Sequence, residues 1–195
     1  ALFFKEGVYQ SDSSKDEVWN RGAYLVEGLG HCNACHTTRN VLGASQDDAL
    51  TGGQISGMNW YAPSLSSRLE AGMSDWSIDE IVALLKIGAT KHAVTSGPMG
   101  TVVRQSLQYL SEEDARAMAV YLNSLSDNEG GTASGVTFSV MTGSLRRYLE
   151  FGGQLYEKHC ETCHGTDGKG APGIYPALAG NRSVTMKSSL NTIWS

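Results

Sequence analysis

The 195-residue chain has no surplus of positive charge. Fifteen Lys and Arg stand against twenty Asp and Glu, for a formal net charge of −5, which argues against a general nucleic-acid binder. No apolar run approaches the roughly 18 residues that a membrane span needs. The chain also lacks the composition of a disordered segment, since it holds four Trp, eight Tyr and 41% hydrophobic residues. It begins at Ala1 with no signal peptide in sight, and so reads as a mature chain or a fragment. Glycine, by contrast, is plentiful at 23 residues, which predicts much loop. The length suits one large domain or two small ones.

No cysteine stands alone either. All four fall into two matching runs, Cys32-Asn-Ala-Cys35-His36 and Cys160-Glu-Thr-Cys163-His164, offset by 128 residues. Cys-x-x-Cys-His is the attachment signature of c-type haem. Two thiols add across the two vinyl groups of one porphyrin, and the adjacent histidine swings under the ring to ligate the iron. Two Cys-x-x-Cys pairs can also hold one tetrahedral zinc, and a single pair can act as a redox dithiol. Neither alternative calls for a histidine directly after the second cysteine, and here both runs have one. Thiol-attached haem points to an oxidising compartment, so a periplasmic location is expected.

The runs divide the chain into two units on one plan. Residues 1–15 read as a linker and 16–126 as a first haem domain. A second linker follows at 127–143, and 144–195 form a partial second domain. In the first unit Val18, Gly22, Leu25, Val26 and Leu29 recur at helical spacing ahead of Cys32. Leu145, Tyr148, Leu149, Gly152, Leu155 and Tyr156 do the same ahead of Cys160. Glycine inside a helix costs about 1 kcal/mol, so Gly22, and Gly152 or Gly153, are expected at close helix–helix contacts. Ser77-Ile78-Asp79-Glu80 is a capping box opening a helix that runs to Gly88. Ser111 opens another, with Met118, Tyr121, Leu122 and Leu125 as its stripe, expected to cross the first helix. Each unit carries a Pro-x-Leu, at Pro63 and Pro176, whose loop carbonyl is expected to accept the Nδ1–H of His36 or His164 and so strengthen the ring as a ligand.

Met99, in Ser96-Gly97-Pro98-Met99-Gly100, is the leading sixth ligand for the first iron, carried by a rigid Gly/Pro loop. His/Met ligation raises the reduction potential and fills both axial positions, which suits electron transfer. Met118 reads as core. His92 is a weaker candidate, and His31 and His159 read as bystanders. In the second unit the interval from Pro63 to Met99, counted from Pro176, runs 17 residues past Ser195. The second haem therefore lacks its distal ligand and closing helix, unless Met186 serves. The Arg39-Asn40 pair is a candidate for contacts to haem propionates.

Several stretches resemble the cytochrome c subunits of membrane-bound dehydrogenases of acetic-acid-type bacteria. They include Trp19-Asn20-Arg21-Gly22-Ala23-Tyr24-Leu25-Val26, Gly28 to Cys32, Cys35-His36-Thr37, Arg39-Asn40, Ala62-Pro63, Gly97-Pro98-Met99, Val102-Val103, Tyr109-Leu110 and Ala119 to Leu122. In the second unit they are Tyr156, Cys160 to Gly165, Asp167-Gly168, Gly170 and Pro176 to Asn181. Thr38 departs from the family, which usually has Pro there. The resemblance implies an all-α fold, with two class I cytochrome c-like domains in tandem and the second truncated. It implies two covalent haem c groups here and a third in a full-length subunit. It also implies a catalytic partner of quinoprotein, flavoprotein or molybdenum type, ubiquinone or another acceptor, and membrane association on the outer face of the inner membrane in the periplasm. No nucleic acid and no catalytic residue of the chain's own are expected. A di-haem enzyme of peroxidase type, with one open iron, is the alternative.

Overall fold

Asp16 sets the start of the first helix. Its carboxylate accepts from the Trp19 amide at 2.8 Å, satisfying one of the donors that a helix N-terminus leaves free. The computed structural model describes residues 7–45, 50–55, 57–125, 143–186 and 188. Helix α1 (Glu17–Ala23) passes into a π-helical turn at Tyr24–Leu29, and α2 (Asn33–His36) carries the first Cys-x-x-Cys-His. A two-residue hairpin follows, β1 (Gly53–Gln54) against β2 (Tyr61–Ala62), antiparallel with Gly53 opposite Ala62. Then come α3 (Ile78–Ile87), α4 (Gly97–Gln105), a short 3-10 turn at Leu107–Tyr109 and α5 (Glu112–Ser124). The second unit contributes α6 (Gly143–His159), α7 (Glu161–His164) and α8 (Arg182–Thr185). The fold is helix-rich; among the described residues the small hairpin and three isolated β-bridges are added to the all-α reading. The linker expected at 127–143 lies almost wholly outside them.

The capping box on α3 forms as expected. Ser77 Oγ accepts from the Glu80 amide, and the Glu80 carboxylate accepts from the Ser77 amide at 3.0 Å. Gly88 ends the helix in the left-handed conformation, φ 81°. Ser111 caps α5 through the Asp114 amide at 3.0 Å.

Helices α1 and α5 cross, as expected, and their contact organises the first unit. A Cβ built on Gly22 would lie 2.0 Å from the Ala117 carbonyl oxygen, so the two backbones touch there. Around that point Arg21 pairs with both Asp114 oxygens at 2.8 and 2.9 Å. Trp19 meets Tyr121 edge-on with ring centroids 5.0 Å apart, and its indole N–H donates to Ser124 Oγ at 2.8 Å. Val26, Ile81, Ala115, Met118, Ala119 and Leu122 are buried behind this seam.

Three expectations need correction. Val18, in the first turn of α1, and Leu29 are exposed. For Leu29 the reason is the π turn that begins at Tyr24, whose wider repeat rotates the side chains after it off the apolar stripe. Gly152 and Gly153 face open space among the described residues rather than a helix contact. Tyr148, Leu149 and Leu155, expected as the apolar stripe of α6, are exposed in the described structure.

Candidate functional site

The π turn delivers the first cysteine. The Gly30 amide donates to the Leu25 carbonyl at 2.7 Å and the Cys32 amide to that of Val26 at 3.1 Å, so the chain turns directly into α2. Cys32 and Cys35 then sit one helical turn apart, both as free thiols, with His36 beside them. Burial pushes the Cys32 thiol up to about 11, which keeps it protonated at neutral pH. Cys160 and Cys163 are likewise free, with Cys163 and His164 on α7. Among the described residues no three His, Cys, Asp or Glu side chains converge as a metal cluster. The four cysteines therefore do not assemble the tetrahedral site that the zinc alternative requires.

The expected carbonyl partner is present in both units. His36 Nδ1 lies 2.7 Å from the Pro63 carbonyl oxygen, and His164 Nδ1 lies 2.9 Å from that of Pro176. A carbonyl only accepts, so Nδ1 carries the hydrogen and donates. Burial holds His36 below its ordinary titration range, opposed by this hydrogen bond. The ring is thus neutral at pH 7, with its lone pair on Nε2.

A glycine repeats beside each of these bonds; the sequence named Gly170 only within the family resemblance and did not point to Gly52. The Gly52 amide donates to the His36 carbonyl and the Gly170 amide to the His164 carbonyl, both at 2.8 Å. Both glycines have positive φ, 80° and 66°. A Cβ on Gly52 would lie 2.6 Å from the Ser64 nitrogen, and one on Gly170 would lie 2.6 Å from the Pro176 oxygen. No residue with a side chain fits either position without moving the proline segment. Thr38, the departure from the family pattern, donates its hydroxyl to the Gly52 carbonyl at 2.7 Å and braces the same loop.

Behind the Pro63–Ser64 peptide lies a buried acid that sequence reasoning also missed. Glu70 Oε2 accepts from the Ser64 amide at 2.6 Å, and the Tyr61 hydroxyl lies 2.9 Å from each Glu70 oxygen. Burial, then the Glu70 hydrogen bond, raises the Tyr61 phenol well above its ordinary range.

The other candidates are placed as follows. Met99 lies in the first turn of α4 and packs against the core. Its carrier is a helix start with Pro98 near its N-terminus, rather than the loop expected. The Trp60 ring lies over Gly97, where a Cβ would come within 2.3 Å of it. Met186 ends α8 with extended backbone. Arg39 donates to the carbonyls of Gly43 and Ala34, both at 2.6 Å, and Asn40 accepts from the Leu42 and Ala44 amides. Both side chains hold the loop after α2. His92 stacks on Trp76 and approaches Glu80 at 3.4 Å.

Several features fit a covalently held porphyrin. Paired thiols one turn apart suit its two vinyl groups, and a neutral imidazole with Nδ1 engaged leaves Nε2 for iron. Thr37 Oγ1, next to His36, is buried without a hydrogen-bond partner among the described residues, which suits a site where a bound group completes the polar contacts.

These features define a helical protein arranged around thiol-attached haem. The chain belongs to the cytochrome c family, whose model matches residues 20–126 and 149–195. Membership implies covalently bound haem c. The chain is similar to the fructose dehydrogenase cytochrome subunit of Gluconobacter japonicus, at 37% identity over 90% of this chain and 39% of that protein. The quinone-dependent alcohol dehydrogenase cytochrome c subunit of Gluconobacter oxydans is 38% identical over 91% of this chain and 38% of its own length. The gluconate 2-dehydrogenase cytochrome c subunit of Pantoea cypripedii is 34% identical over 88% and 41%. The chain thus spans about two fifths of the length of these relatives. None of them is named as a peroxidase.

Proposed function

We propose that the chain is an electron-transfer segment of a cytochrome subunit serving a dehydrogenase, with two covalent haem c groups. One is attached at Cys32 and Cys35 with His36 as iron ligand, the other at Cys160 and Cys163 with His164. Bound haem supplies one-electron chemistry by cycling its iron between ferric and ferrous states. The polypeptide's part is to anchor the ring, fix each imidazole and limit water access. Met99 is the sixth ligand of the first iron. For the iron of the second haem, Met186 is the candidate distal ligand among the described residues. A full-length subunit carries a third haem.

One observation carries this reading: the same His–Pro carbonyl bond recurs in both units, at 2.7 and 2.9 Å. The two separate stretches of family match, 20–126 and 149–195, support a tandem of two cytochrome c-like domains. The relatives' names support a dehydrogenase partner, of quinoprotein, flavoprotein or molybdenum type, with ubiquinone or another respiratory acceptor downstream. Such a complex works in the periplasm at the outer face of the inner membrane. No described helix is long and apolar enough to cross a membrane, so membrane association in this proposal rests with the rest of the subunit or its partners.

A pyridine haemochrome assay on the purified chain tests the reading. About two haems per chain are expected, with the bands of thioether-linked haem. Zero haem, or stoichiometric zinc in its place, would overturn it. Peroxide turnover by the full-length subunit would favour the peroxidase-type alternative.

A further inference from the structure

We propose that Glu70 is a positioning residue that tunes His36 through the Pro63–Ser64 peptide, lowering the potential of the first haem but not the second. The inference rests on the reading of His36 as an iron ligand.

One peptide unit joins the two groups. Its carbonyl, from Pro63, accepts from His36 Nδ1 at 2.7 Å, and its N–H, from Ser64, donates to Glu70 Oε2 at 2.6 Å. The peptide bond is conjugated, so an anionic acceptor drawing on its N–H raises electron density on its oxygen. Hydrogen bonds in such a chain strengthen one another where the local dielectric is low, and a carboxylate makes the stronger, shorter kind. The stronger the carbonyl's pull on Nδ1–H, the more basic Nε2 becomes, and a more basic ligand favours ferric iron.

Glu70 is only 8% exposed, so solvent does little to screen it. Local bonds hold it in register with the peptide: the Glu70 amide donates to the Ser67 carbonyl at 3.0 Å and the Ala71 amide to that of Ser64 at 2.9 Å. The Tyr61 hydroxyl shares the carboxylate charge from the other side. The second unit offers an internal control. His164 makes the same bond to Pro176, but the following residue is Ala177, and among the described residues no carboxylate reaches its amide. The nearby Asp167 is paired with Lys169 at 2.7 Å.

Glu70→Gln tests this in the haem-loaded protein by spectroelectrochemical titration. The amide oxygen of Gln can still accept from Ser64, so the loop is kept while the charge is removed. The first haem should shift about tenfold toward the ferrous state, roughly 59 mV upward for a one-electron couple, with the second haem unmoved. The His36 Nδ1–H resonance of the ferrous protein should move upfield as its bond weakens. Tyr61→Phe, which returns the shared charge to the Ser64 amide, should shift the same haem the opposite way and serves if Glu70→Gln does not fold. An unchanged first potential in a folded variant, or equal shifts in both haems, overturns the proposal. The underlying reading fails separately: if His36→Ala leaves the first haem's absorption spectrum intact, His36 is not the ligand.

Discussion

Replacing Gly22 with alanine puts a methyl carbon 2.0 Å from the Ala117 oxygen, 2.7 Å from its carbonyl carbon and 2.8 Å from Tyr121 Cβ. The obstruction is mostly backbone of α5, which cannot rotate away as a side-chain tip can. To restore van der Waals separation the helices have to part by about 1 Å at their crossing point. A gap of that order forfeits roughly a quarter to a half of each dispersion contact it opens. Overpacking generally costs about 1–3 kcal/mol, and a backbone obstruction belongs at the upper end. The alanine returns about 1 kcal/mol of helix propensity, leaving a net loss of about 2 kcal/mol. For a unit of roughly 100 residues, that lowers Tm by about 10 °C. Thermal unfolding of haem-loaded protein, followed by circular dichroism and haem absorbance, measures it. Gly152→Ala is the matched control. With nothing within 4 Å of that position among the described residues, the substitution should be neutral or stabilise by up to about 1 kcal/mol. If Gly22→Ala were as benign as Gly152→Ala, the close crossing of α1 and α5 would be refuted.

Met99→Ala should lower the first haem's potential and convert its spectrum from low to high spin, because a thioether that favours ferrous iron is lost; an unchanged titration would remove Met99 as the ligand. Ser111→Ala should cost about 1 kcal/mol in urea unfolding by freeing the Asp114 amide at the start of α5. Glu80 is held down at about 2 by Lys91 first and then by the Ser77 amide and hydroxyl. Its folded value lies below its unfolded one, so its contribution is complete above the unfolded value near 4.5 and is lost as pH falls toward 2. Glu80→Gln should therefore flatten the dependence of stability on pH between those limits, as read from urea midpoints; an unaltered slope would show that neither Lys91 nor the Ser77 cap holds its charge.

What could be read in the sequence was local or repeated. Ser77 and Glu80 lie three residues apart, and their reciprocal bonds need no tertiary partner, so the start of α3 was legible. The proline carbonyls were legible because Pro63 and Pro176 each follow a Cys-x-x-Cys-His. Gly22 stood out as a costly residue in an apolar helix, a cost that tertiary contact offsets. The same argument failed at Gly152 and Gly153, because glycine inside a helix marks a contact only where another element arrives. Met99 was expected on a loop because Gly97 and Pro98 break helices, yet proline fits the first turn of one, where its missing N–H would be unpaired anyway. The exposure of Leu29 follows from the π turn, which a 3.6-residue period cannot represent. Glu70 was invisible because it reaches its peptide partner only once the turn at residues 67–72 folds back over Ser64.

The two glycines explain how one site geometry tolerates two loop lengths. Gly52 follows its histidine by 16 residues and Gly170 by 6, too unlike to register as a repeat. Each amide nevertheless reaches the histidine carbonyl at the same distance, and each lies against the proline segment with no room for a Cβ. The constraint therefore acts at the closing point of the loop, where positive φ and close approach both demand glycine. Residues added between the histidine and that point are free to do other work. In the first unit they brace the loop through Arg39, Asn40 and Thr38 and supply the buried Leu50, whose carbonyl accepts from the Leu65 amide at 2.9 Å. The hairpin that follows Gly52 brings Tyr61 beside Glu70 behind the proline peptide. The shorter loop of the second unit closes through the bridge between Ala171 and Tyr175 and has no such backing among the described residues. Two histidines anchored alike thus face different environments through the peptides that hold them, and under the proposed function that difference is available to set the haem of each unit at its own potential.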